Sequence, residues 1–231
     1  MIGESVKRQL IVAIDGPSGA GKSTLSKALA SRLGYVNIDT GAMYRTVALA
    51  AHRERIDPAD DERLKSLCDR IQIKFALTDQ GEQVLLNDEN VSTAIRSPEI
   101  SLLTAKFAAH PVVRSAMVLE QQRMGSSGGV VLEGRDIGTV VFPDAEVKFF
   151  LSATAQERGR RRYEELLEKG VTVDLEQTIV EVEARDAADA EREHAPLMRA
   201  DDAIDIDSTS MSIDQVLEQM LKVIEARRLS L

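Results

Sequence analysis

The chain has 231 residues, of which 43% are hydrophobic and 29% are charged, a composition typical of a folded globular protein and not of a disordered one. Its 38 acidic residues outnumber its 29 basic ones, and the formal net charge of −9 argues against nucleic acid or an anionic membrane as a partner. The single cysteine, Cys68, excludes an internal disulfide and indicates a reducing cytoplasm, and no apolar run approaches the ~20 residues that span a bilayer.

The first predicted elements are a strand, a glycine-rich loop and a helix. Leu10–Ile14 is a short apolar run that is typical of a buried parallel strand. Three leucines then recur with helical spacing, and Gly34 is placed to end that helix. A second strand is predicted at Tyr35–Ile38, and a second helix from Thr40 onward. Strands that alternate with helices in this way indicate a parallel sheet.

Beyond the second helix the pattern changes. Apolar and polar residues alternate from Ile71 to Leu77, turn residues follow at 79–81, and Val84–Leu86 is again apolar. This order predicts an antiparallel hairpin. Helices are predicted after Ser97 and after His110, where the proline that follows suits a first helical turn. A hairpin within an otherwise alternating chain indicates an insertion.

The last part of the chain returns to alternating strands and helices. Its predicted elements are, in chain order, the strands Val130–Glu133 and Val147–Leu151, helices at about 154–169 and 174–192, the strand Ala203–Ile206 and the helix Ile213–Arg228. The predicted fold is therefore α/β, with a mostly parallel sheet and helices on both faces. Ligands of such folds bind at the carboxyl ends of the strands.

A phosphate-binding loop is predicted directly after the first strand. Gly16–Ser23 matches the pattern G-x-x-x-x-G-K-[ST], with an apolar strand before it and a helix after it. Glycines let successive backbone N–H groups turn toward an oxyanion, and the helix adds its positive end. Lys22 can reach the β- and γ-phosphates, and the Ser23 hydroxyl can ligate Mg²⁺. The motif predicts triphosphate binding and leaves the reaction open.

Among proteins with this loop, a small kinase fits best. The chain has no Asn-Lys pair, so it lacks the guanine-specifying Asn-Lys-x-Asp motif of GTPase switches. Arg45 and Arg135 lie at predicted carboxyl ends of strands, which suits a phosphate acceptor because two anions must then be brought together. Two alternatives remain open. One is a kinase of a small hydroxyl metabolite such as shikimate or gluconate, and the other is a regulator that binds ATP without turnover.

Several segments together resemble the bacterial cytidylate kinases. They are Gly16–Thr24 (GPSGAGKST), Asp39–Arg45 (DTGAMYR), Gly134–Thr139 (GRDIGT), the spaced residues of 185–197 (RD…D…R…APL) and Asp207–Thr209 (DST). The resemblance extends from about residue 9 to residue 228. It implies a P-loop kinase with a core (9–40, 128–155 and 200–231), an inserted monophosphate-binding region (about 41–127) that includes the hairpin, and a helical lid (about 156–172). The implied reaction is phosphoryl transfer from ATP, with Mg²⁺, to CMP or dCMP.

The resemblance also assigns site residues. It places ATP on Gly16, Pro17, Ser18, Gly19, Ala20, Gly21, Lys22, Ser23 and Thr24, with Ser23 toward the metal. It places CMP on Thr40, Tyr44, Arg45, Arg114, Arg135, Asp136, Arg185, Asp189 and Arg192. The residues that it assigns to catalysis are Lys22, Arg135, Arg158, Arg162 and Arg192. The sequence departs from the family at Ala105, where a small hydroxyl residue is common.

The chemistry of some of these residues can be argued from spacing and hydrogen bonding. Arg185, Asp189 and Arg192 recur at helical spacing and share one face, which either binds nucleotide or forms an exposed ion-pair ladder. On the first interpretation Asp189 accepts hydrogen bonds from ribose hydroxyls. Asp136 can accept from the N4 amino group of cytosine while a guanidinium such as Arg114 serves N3 and O2. Alternatively, Asp136 only pairs with a neighbouring arginine.

The expected mechanism is in-line transfer of the phosphoryl group without a covalent intermediate or a general base. A monophosphate is already ionised near neutral pH, so catalysis needs positioning and charge neutralisation. Lid closure would exclude water, which otherwise accepts the phosphoryl group. Asp39 and Glu133 end strands near the loop and are candidates for holding Mg²⁺ waters, while Tyr44 contacts the base or lies in the core. We expect a cytoplasmic monomer that binds neither nucleic acid nor membrane.

Overall fold

The computed structural model describes residues 9–79, 81–168, 170–191 and 196–230. It divides into two units by its internal contacts. The first unit comprises the residues up to Asn37 together with those from Gly125 onward, and the second unit is Ile38–Met124. The second unit is thus one continuous segment that interrupts the chain of the first.

A five-stranded sheet forms the centre of the first unit. Its strands are β1 (Ile11–Asp15), β2 (Val36–Asp39), β6 (Val130–Gly134), β7 (Val147–Ser152) and β8 (Ile204–Asp207), in the spatial order β2-β6-β1-β7-β8. β1 pairs in parallel with both β6 and β7, and β7 pairs in parallel with β8. The predicted α/β fold with a mostly parallel sheet is confirmed, and the strand that leads into the glycine-rich loop is its central one.

The central strand β1 and its neighbours β6 and β7 are mostly apolar and buried, because helices pack on them. The helices of this unit are α1 (Lys22–Leu33), α6 (Ala155–Glu168), α7 (Leu175–Ala190) and α8 (Ile213–Leu229), with a π-helix at Ile137–Val141. Leu25 and Leu29 of α1 and Met220 of α8 are buried in one apolar cluster with Ile14 and Phe149 of the sheet. Full burial of such a side chain contributes about 1.5–3 kcal/mol to the stability of the fold. The strand before the loop and the helix after it are both held in this cluster, and their packing fixes the position of the loop.

Helices α6 and α7 approach each other closely at Gly159. A Cβ atom at this position would lie 2.3 Å from Cγ1 and 2.9 Å from Cα of Ile179. Any larger residue would force the two helices apart, because one of these atoms belongs to the backbone of α7. Glycine at this position therefore fixes the distance between the helix with the arginine run and the helix with Asp189.

The second unit combines helices with a small antiparallel sheet. Its elements are α2 (Thr40–Arg53), α3 (Asp61–Arg70), β3 (Ile73–Thr78), β4 (Gly81–Leu86), β5 (Glu89–Asn90), a 3₁₀-helix (Ala94–Arg96), α4 (Pro98–Ala108) and α5 (Pro111–Gly125). The predicted hairpin is present as β3 and β4, with Ile73 facing Leu86 and Thr78 facing Gly81. β5 extends it to three strands in the order β3-β4-β5. The predicted helices after Ser97 and His110 are confirmed, and the Ser97 hydroxyl caps α4 by accepting from the Ile100 N–H at 3.2 Å.

The structure corrects the sequence prediction mainly at the ends of elements. The second strand runs from Val36 to Asp39 and not from Tyr35 to Ile38, and α7 ends at Ala190 and not at residue 192. The short helix α3 and the π-helix had no counterpart in the prediction. No helix within the described part of the chain is long and apolar enough to cross a membrane.

Candidate active site

The predicted phosphate-binding loop connects β1 to α1 and depends on glycine for its path. Gly16 has φ 148°, and a Cβ atom there would lie 2.0 Å from the carbonyl oxygen of Leu151 in β7. Gly21, which precedes α1, is left-handed with φ 92°. Side chains at these positions would clash or strain the backbone, so the loop can curve beneath the carboxyl ends of the strands only with glycine.

Donors outside the loop hold two of its carbonyl groups. Nη1 of Arg158 donates to the carbonyl of Ser18 at 3.0 Å, and the Ser208 hydroxyl lies 3.3 Å from the carbonyl of Ala20. In a trans peptide the C=O and the N–H that follows it point in opposite directions. The N–H groups of Gly19 and Gly21 are therefore directed away from these donors, as a row of amides that binds an oxyanion requires.

Lys22, at the start of α1, lies within this loop. Its side chain is 5% exposed, and Nζ donates to the carbonyl of Pro17 at 2.6 Å. Burial, and then the positive charge of Arg135, lower the pKa of the amine, whereas the carboxylates of Glu133 and Asp15 act in the opposite direction. The fold has removed water from the ammonium group of Lys22, and the negative charge of a bound phosphate would stabilise that group. The Ser23 hydroxyl, next in the chain, is exposed.

Asp15 ends β1 immediately before the loop and is 4% exposed. Its Oδ1 accepts from the N–H of Ile137 at 2.9 Å, and its Oδ2 accepts from the N–H of Gly138 at 2.7 Å. Burial raises the pKa of Asp15 from 3.8 to about 6 although both hydrogen bonds lower it, and the nearby charge of Asp136 adds to the rise. The sequence assigned no role to this carboxylate, because the N–H groups that it binds lie 122 and 123 residues further along the chain.

The raised pKa makes the stability of the fold depend on pH through Asp15. Between pH 3.8 and about 6 the folded state binds more protons at this group than the unfolded state, so this contribution to stability is lost as the pH rises through about 6. We expect the wild type to lose about 2 kcal/mol more stability than Asp15→Asn between about pH 4.5 and pH 7.5. Urea unfolding of both proteins at the two pH values measures this difference. The contributions of other titrating groups cancel between the two proteins. Free energies of unfolding that change with pH by the same amount in both would contradict the prediction.

Arg135 and Asp189, both predicted to contact the monophosphate, meet in the structure. Nε of Arg135 donates to Oδ2 of Asp189 at 2.7 Å, and their side chains are 20% and 3% exposed. Asp136, next to Arg135, is 6% exposed, whereas Arg185, one turn before Asp189 on α7, is exposed. A guanidinium and a carboxylate that pair across the carboxyl end of β6 are placed to bind a phosphate and a sugar hydroxyl. Arg192, which was predicted to share a helix face with Arg185 and Asp189, lies outside the described residues.

The arginine run of α6 separates into buried and exposed members. Arg158 is 6% exposed and donates to the carbonyls of Ser18 and Ala153, at 3.0 and 2.8 Å, and to the carboxylate of Asp186 on α7. Arg161 donates to the carbonyl of Ser208 at 2.7 Å. Both residues therefore join the predicted lid helix to the phosphate loop and its surroundings.

Arg162 has a different environment from Arg158. Its side chain is 44% exposed and pairs with Glu165 at 2.8 Å on the same helix. Arg160 pairs with Glu157 at 2.8 Å in the same way. Exposed pairs of this kind contribute little to stability, so Arg162 can exchange its partner for a stronger anion at little cost.

The remaining predicted monophosphate residues lie in the second unit. Arg45 pairs with Asp39 at 3.2 Å, and the guanidinium of the buried Arg114 lies 5.8 Å from the ring centre of Tyr44. Thr40 is buried at the start of α2. This unit thus presents two arginines, each of which is oriented by a neighbouring side chain.

The structure gives Asp39 a structural task besides its predicted one. Its Oδ1 caps α2 by accepting from the N–H of Ala42 at 2.7 Å, and its Oδ2 faces Arg45 and, at 4.0 Å, Arg96. The sequence did not single out Arg96, because an isolated arginine carries no positional signal. At the predicted departure from the family, Ala105 is exposed, and the hydroxyl of Thr104 donates to the carbonyl of Ile100 at 2.6 Å.

The donor atoms around the loop suit a hard divalent cation. Within the described residues, no three or more His, Cys, Asp or Glu side chains cluster as an all-protein metal site. The oxygen groups available are the Ser23 hydroxyl and the carboxylate of Glu133 near Lys22. Mg²⁺ prefers oxygen ligands and is usually held by one or two protein groups together with phosphates and water, which fits this set.

Comparison with known proteins gives matches along almost the whole chain. The sequence model of the family described as "Cytidylate kinase" matches residues 12–226. A cytidylate kinase of Syntrophotalea carbinolica is 64% identical over 96% of this chain and 95% of its own length, and that of Bacillus subtilis is 47% identical over 96% and 99%. A solved gluconokinase structure from Sinorhizobium meliloti is 15% identical, with a TM-score of 0.49 over 97% of this chain and 95% of that one.

Proposed function

The chain belongs to the cytidylate kinase family, and we propose that it transfers the γ-phosphate of ATP to CMP or dCMP, forming ADP and CDP or dCDP. The observation that carries the proposal is the 64% identity over 96% of the chain. The family model matches residues 12–226, which include the phosphate loop together with Arg135 and Asp136. The buried pair of Arg135 with Asp189 beside that loop supports a second, anionic nucleotide near the first. The relatives match at this level as cytidylate kinases, so a hydroxyl-metabolite kinase is the less supported alternative.

On the donor side, the loop of Gly16–Thr24 holds the ATP phosphates. The amides of Gly19 and Gly21 bind phosphate oxygens, and Lys22 neutralises charge between the β- and γ-phosphates. Ser23 would hold Mg²⁺ through its hydroxyl, and Glu133 would hold a water of the ion. The bound Mg²⁺ supplies charge neutralisation at the β- and γ-phosphates.

On the acceptor side, arginines offset the charge of the monophosphate. We assign Arg45, Arg135, Arg185 and Arg192 to phosphate binding and Asp189 to the ribose. Thr40 and Tyr44 complete the pocket, and Asp136 and Arg114 select cytosine. Because the phosphate of CMP is already ionised near neutral pH, no residue has to remove a proton from the acceptor.

In this proposal α6 belongs to a lid of about residues 156–172, on a core of residues 9–40, 128–155 and 200–231 with the monophosphate-binding insertion at 41–127. Arg158 contributes from the base of the lid by orienting the loop through the carbonyl of Ser18. Arg162 moves from Glu165 to the transferred group when the lid closes and excludes water. Catalysis is then positioning and charge neutralisation.

A coupled assay of ADP release tests the function directly. The panel is CMP, dCMP, UMP, AMP, GMP, shikimate and gluconate, each with ATP and Mg²⁺. We expect turnover with CMP and dCMP that exceeds turnover with every other acceptor. Preferential turnover with shikimate or gluconate would establish the hydroxyl-kinase alternative, and ATP binding without release of ADP would establish the regulator.

Replacing Asp189 by alanine tests the sugar contact. The change removes the proposed acceptor for the ribose hydroxyls and leaves Arg135 without its 2.7 Å partner. We expect KM for CMP to rise by at least about tenfold, while KM for ATP stays within about twofold. The control is Glu183→Ala, an exposed carboxylate on the same helix. A rise in KM for ATP with KM for CMP unchanged would mean that Asp189 contacts ATP and not CMP.

We also propose that the enzyme is a cytoplasmic monomer that acts without nucleic acid or membrane. The net charge of −9 supports the absence of nucleic acid and membrane as partners, and the single cysteine supports a reducing cytoplasm. Sedimentation of the purified chain at micromolar concentration tests it, since a dimer would double the apparent mass of 25.3 kDa.

A further inference from the structure

We propose that Asp15 is a positioning residue for base selection, which fixes the segment that presents Arg135 and Asp136 to the monophosphate. The inference rests on the proposed function and adds to it a residue that lies outside both nucleotide-binding sets. Asp15 touches neither nucleotide in this proposal. It acts through the backbone that follows Asp136.

The argument begins with the register of the sheet. β1 and β6 are parallel neighbours in which Asp15 lies opposite Gly134, the residue before Arg135. The two strands end together, so the phosphate loop leaves one strand at the level where the Arg135–Asp136 segment leaves the other. Asp15 is the last residue of β1 before the loop and is therefore placed to join the two segments.

Two hydrogen bonds make this connection. The carboxylate accepts from the N–H groups of Ile137 and Gly138, at 2.9 and 2.7 Å, and these are the two residues that follow Asp136. They open the π-helix of Ile137–Val141. The N–H groups in the first turn of a helix have no acceptor within the helix, and here the carboxylate supplies both acceptors. The N–H of Ile137 shares a peptide plane with the carbonyl of Asp136, so holding it restrains the orientation of that carbonyl.

A carboxylate suits this task better than a neutral side chain does. It offers one oxygen to each of two adjacent N–H groups, whereas an asparagine offers one acceptor and directs an NH₂ group at the other N–H. The charge is retained although Asp15 is 4% exposed and lies near the like charge of Asp136. Lys22 is the opposing positive charge. Gly138 lies close to the carboxylate, since a Cβ atom there would be in contact with Oδ2 of Asp15 at 3.4 Å.

Asp15→Asn tests the proposal through a measurement that a loss of stability alone would not change. We expect KM for CMP to rise by at least about tenfold and the CMP-to-UMP ratio of kcat/KM to fall by at least about fivefold, with KM for ATP within about threefold. The matched control is Ile14→Val, which removes a buried methylene group from the preceding residue of the same strand. The control should lose stability and keep the wild-type ratio.

Gly138→Ala perturbs the same connection from the other side and serves if Asp15→Asn does not fold. Its methyl group would lie 3.1 Å from Cδ of Lys148 and in contact with Oδ2 of Asp15 at 3.4 Å, so either the Lys148 stem or the backbone of Gly138 must shift by a few tenths of an ångström. We expect a fall of the CMP-to-UMP ratio by at least about threefold with ATP binding retained. An unchanged ratio in either folded variant overturns the proposal. A wild type without preference for CMP would instead overturn the proposed function, so the two failures are distinguishable.

Discussion

Replacing Lys22 by methionine is expected to lower kcat by at least about 10³-fold while the protein stays folded, because a cation at the transferred phosphate is lost. The Nζ atom lies in the loop, 2.6 Å from the carbonyl of Pro17, and the side chain is 5% exposed. Burial lowers the pKa of this amine, so the fold already disfavours its charge. Methionine fills the space of the aliphatic part of the lysine side chain but carries no charge. A loss of activity in this variant is therefore due to the missing ammonium group and not to a packing defect.

The measurement is kcat at saturating ATP and CMP, together with the midpoint of urea unfolding. Lys27→Met is the matched control, since Lys27 is an exposed residue of the same helix. We expect the control to keep its turnover within about twofold, as a surface substitution does. Turnover of Lys22→Met within about tenfold of the wild type would refute the assignment of the loop as the γ-phosphate site.

The second large effect is expected from Asp136→Asn, which tests how the base is chosen. Cytosine offers an N4 amino donor to the carboxylate, whereas uracil offers a carbonyl oxygen at the same place. Asp136 is 6% exposed, and a mismatched buried polar group costs about 1–3 kcal/mol, more when it is charged. Asparagine keeps the volume and can rotate a donor toward uracil. We expect most CMP activity to be lost and the CMP-to-UMP ratio of kcat/KM to narrow by at least about tenfold.

The CMP-to-UMP ratio of kcat/KM is measured for the wild type and for Asp136→Asn with ATP held at saturation. Asp144→Asn, the same change at an exposed position beyond the π-helix, is the control and should keep the wild-type ratio. If CMP and UMP activities fall by one common factor in Asp136→Asn, the carboxylate does not contact the base. It would then act only as the partner of a neighbouring arginine.

The sheet was predictable because its strands are short apolar runs in a chain of alternating elements. The run at Leu10–Ile14 became β1 with a shift of one residue, since Asp15 extends it by its backbone pairing with Gly134 while its side chain is polar. The hairpin was predictable from alternation and turn residues. Helix α3 was missed although Leu64, Leu67 and Cys68 recur at helical spacing, because a helix of ten residues gives only one such repeat.

The phosphate loop was predictable from spacing, whereas the contacts of the arginines around it were not. The motif gave Lys22 and Ser23, but Asp186, which binds Arg158, and Ser208, which binds Arg161, come from segments far along the chain. The run Arg158–Arg162 looks uniform in the sequence. Only the fold distinguishes its buried members from its exposed ones, because burial depends on what packs against each face of α6.

The strand order also bears on how the chain folds during synthesis. Ile11 of the central strand pairs with Val130, and Val12 pairs with Val147, so both partners of β1 are made more than a hundred residues after it. The hairpin of β3 and β4 instead closes through neighbouring residues. Local contacts form fast and distant ones late, because a long loop must be closed first. The first strand to leave the ribosome is thus paired late, and the glycine-rich loop that follows it gains its place in the sheet only after β6 and β7 have been made.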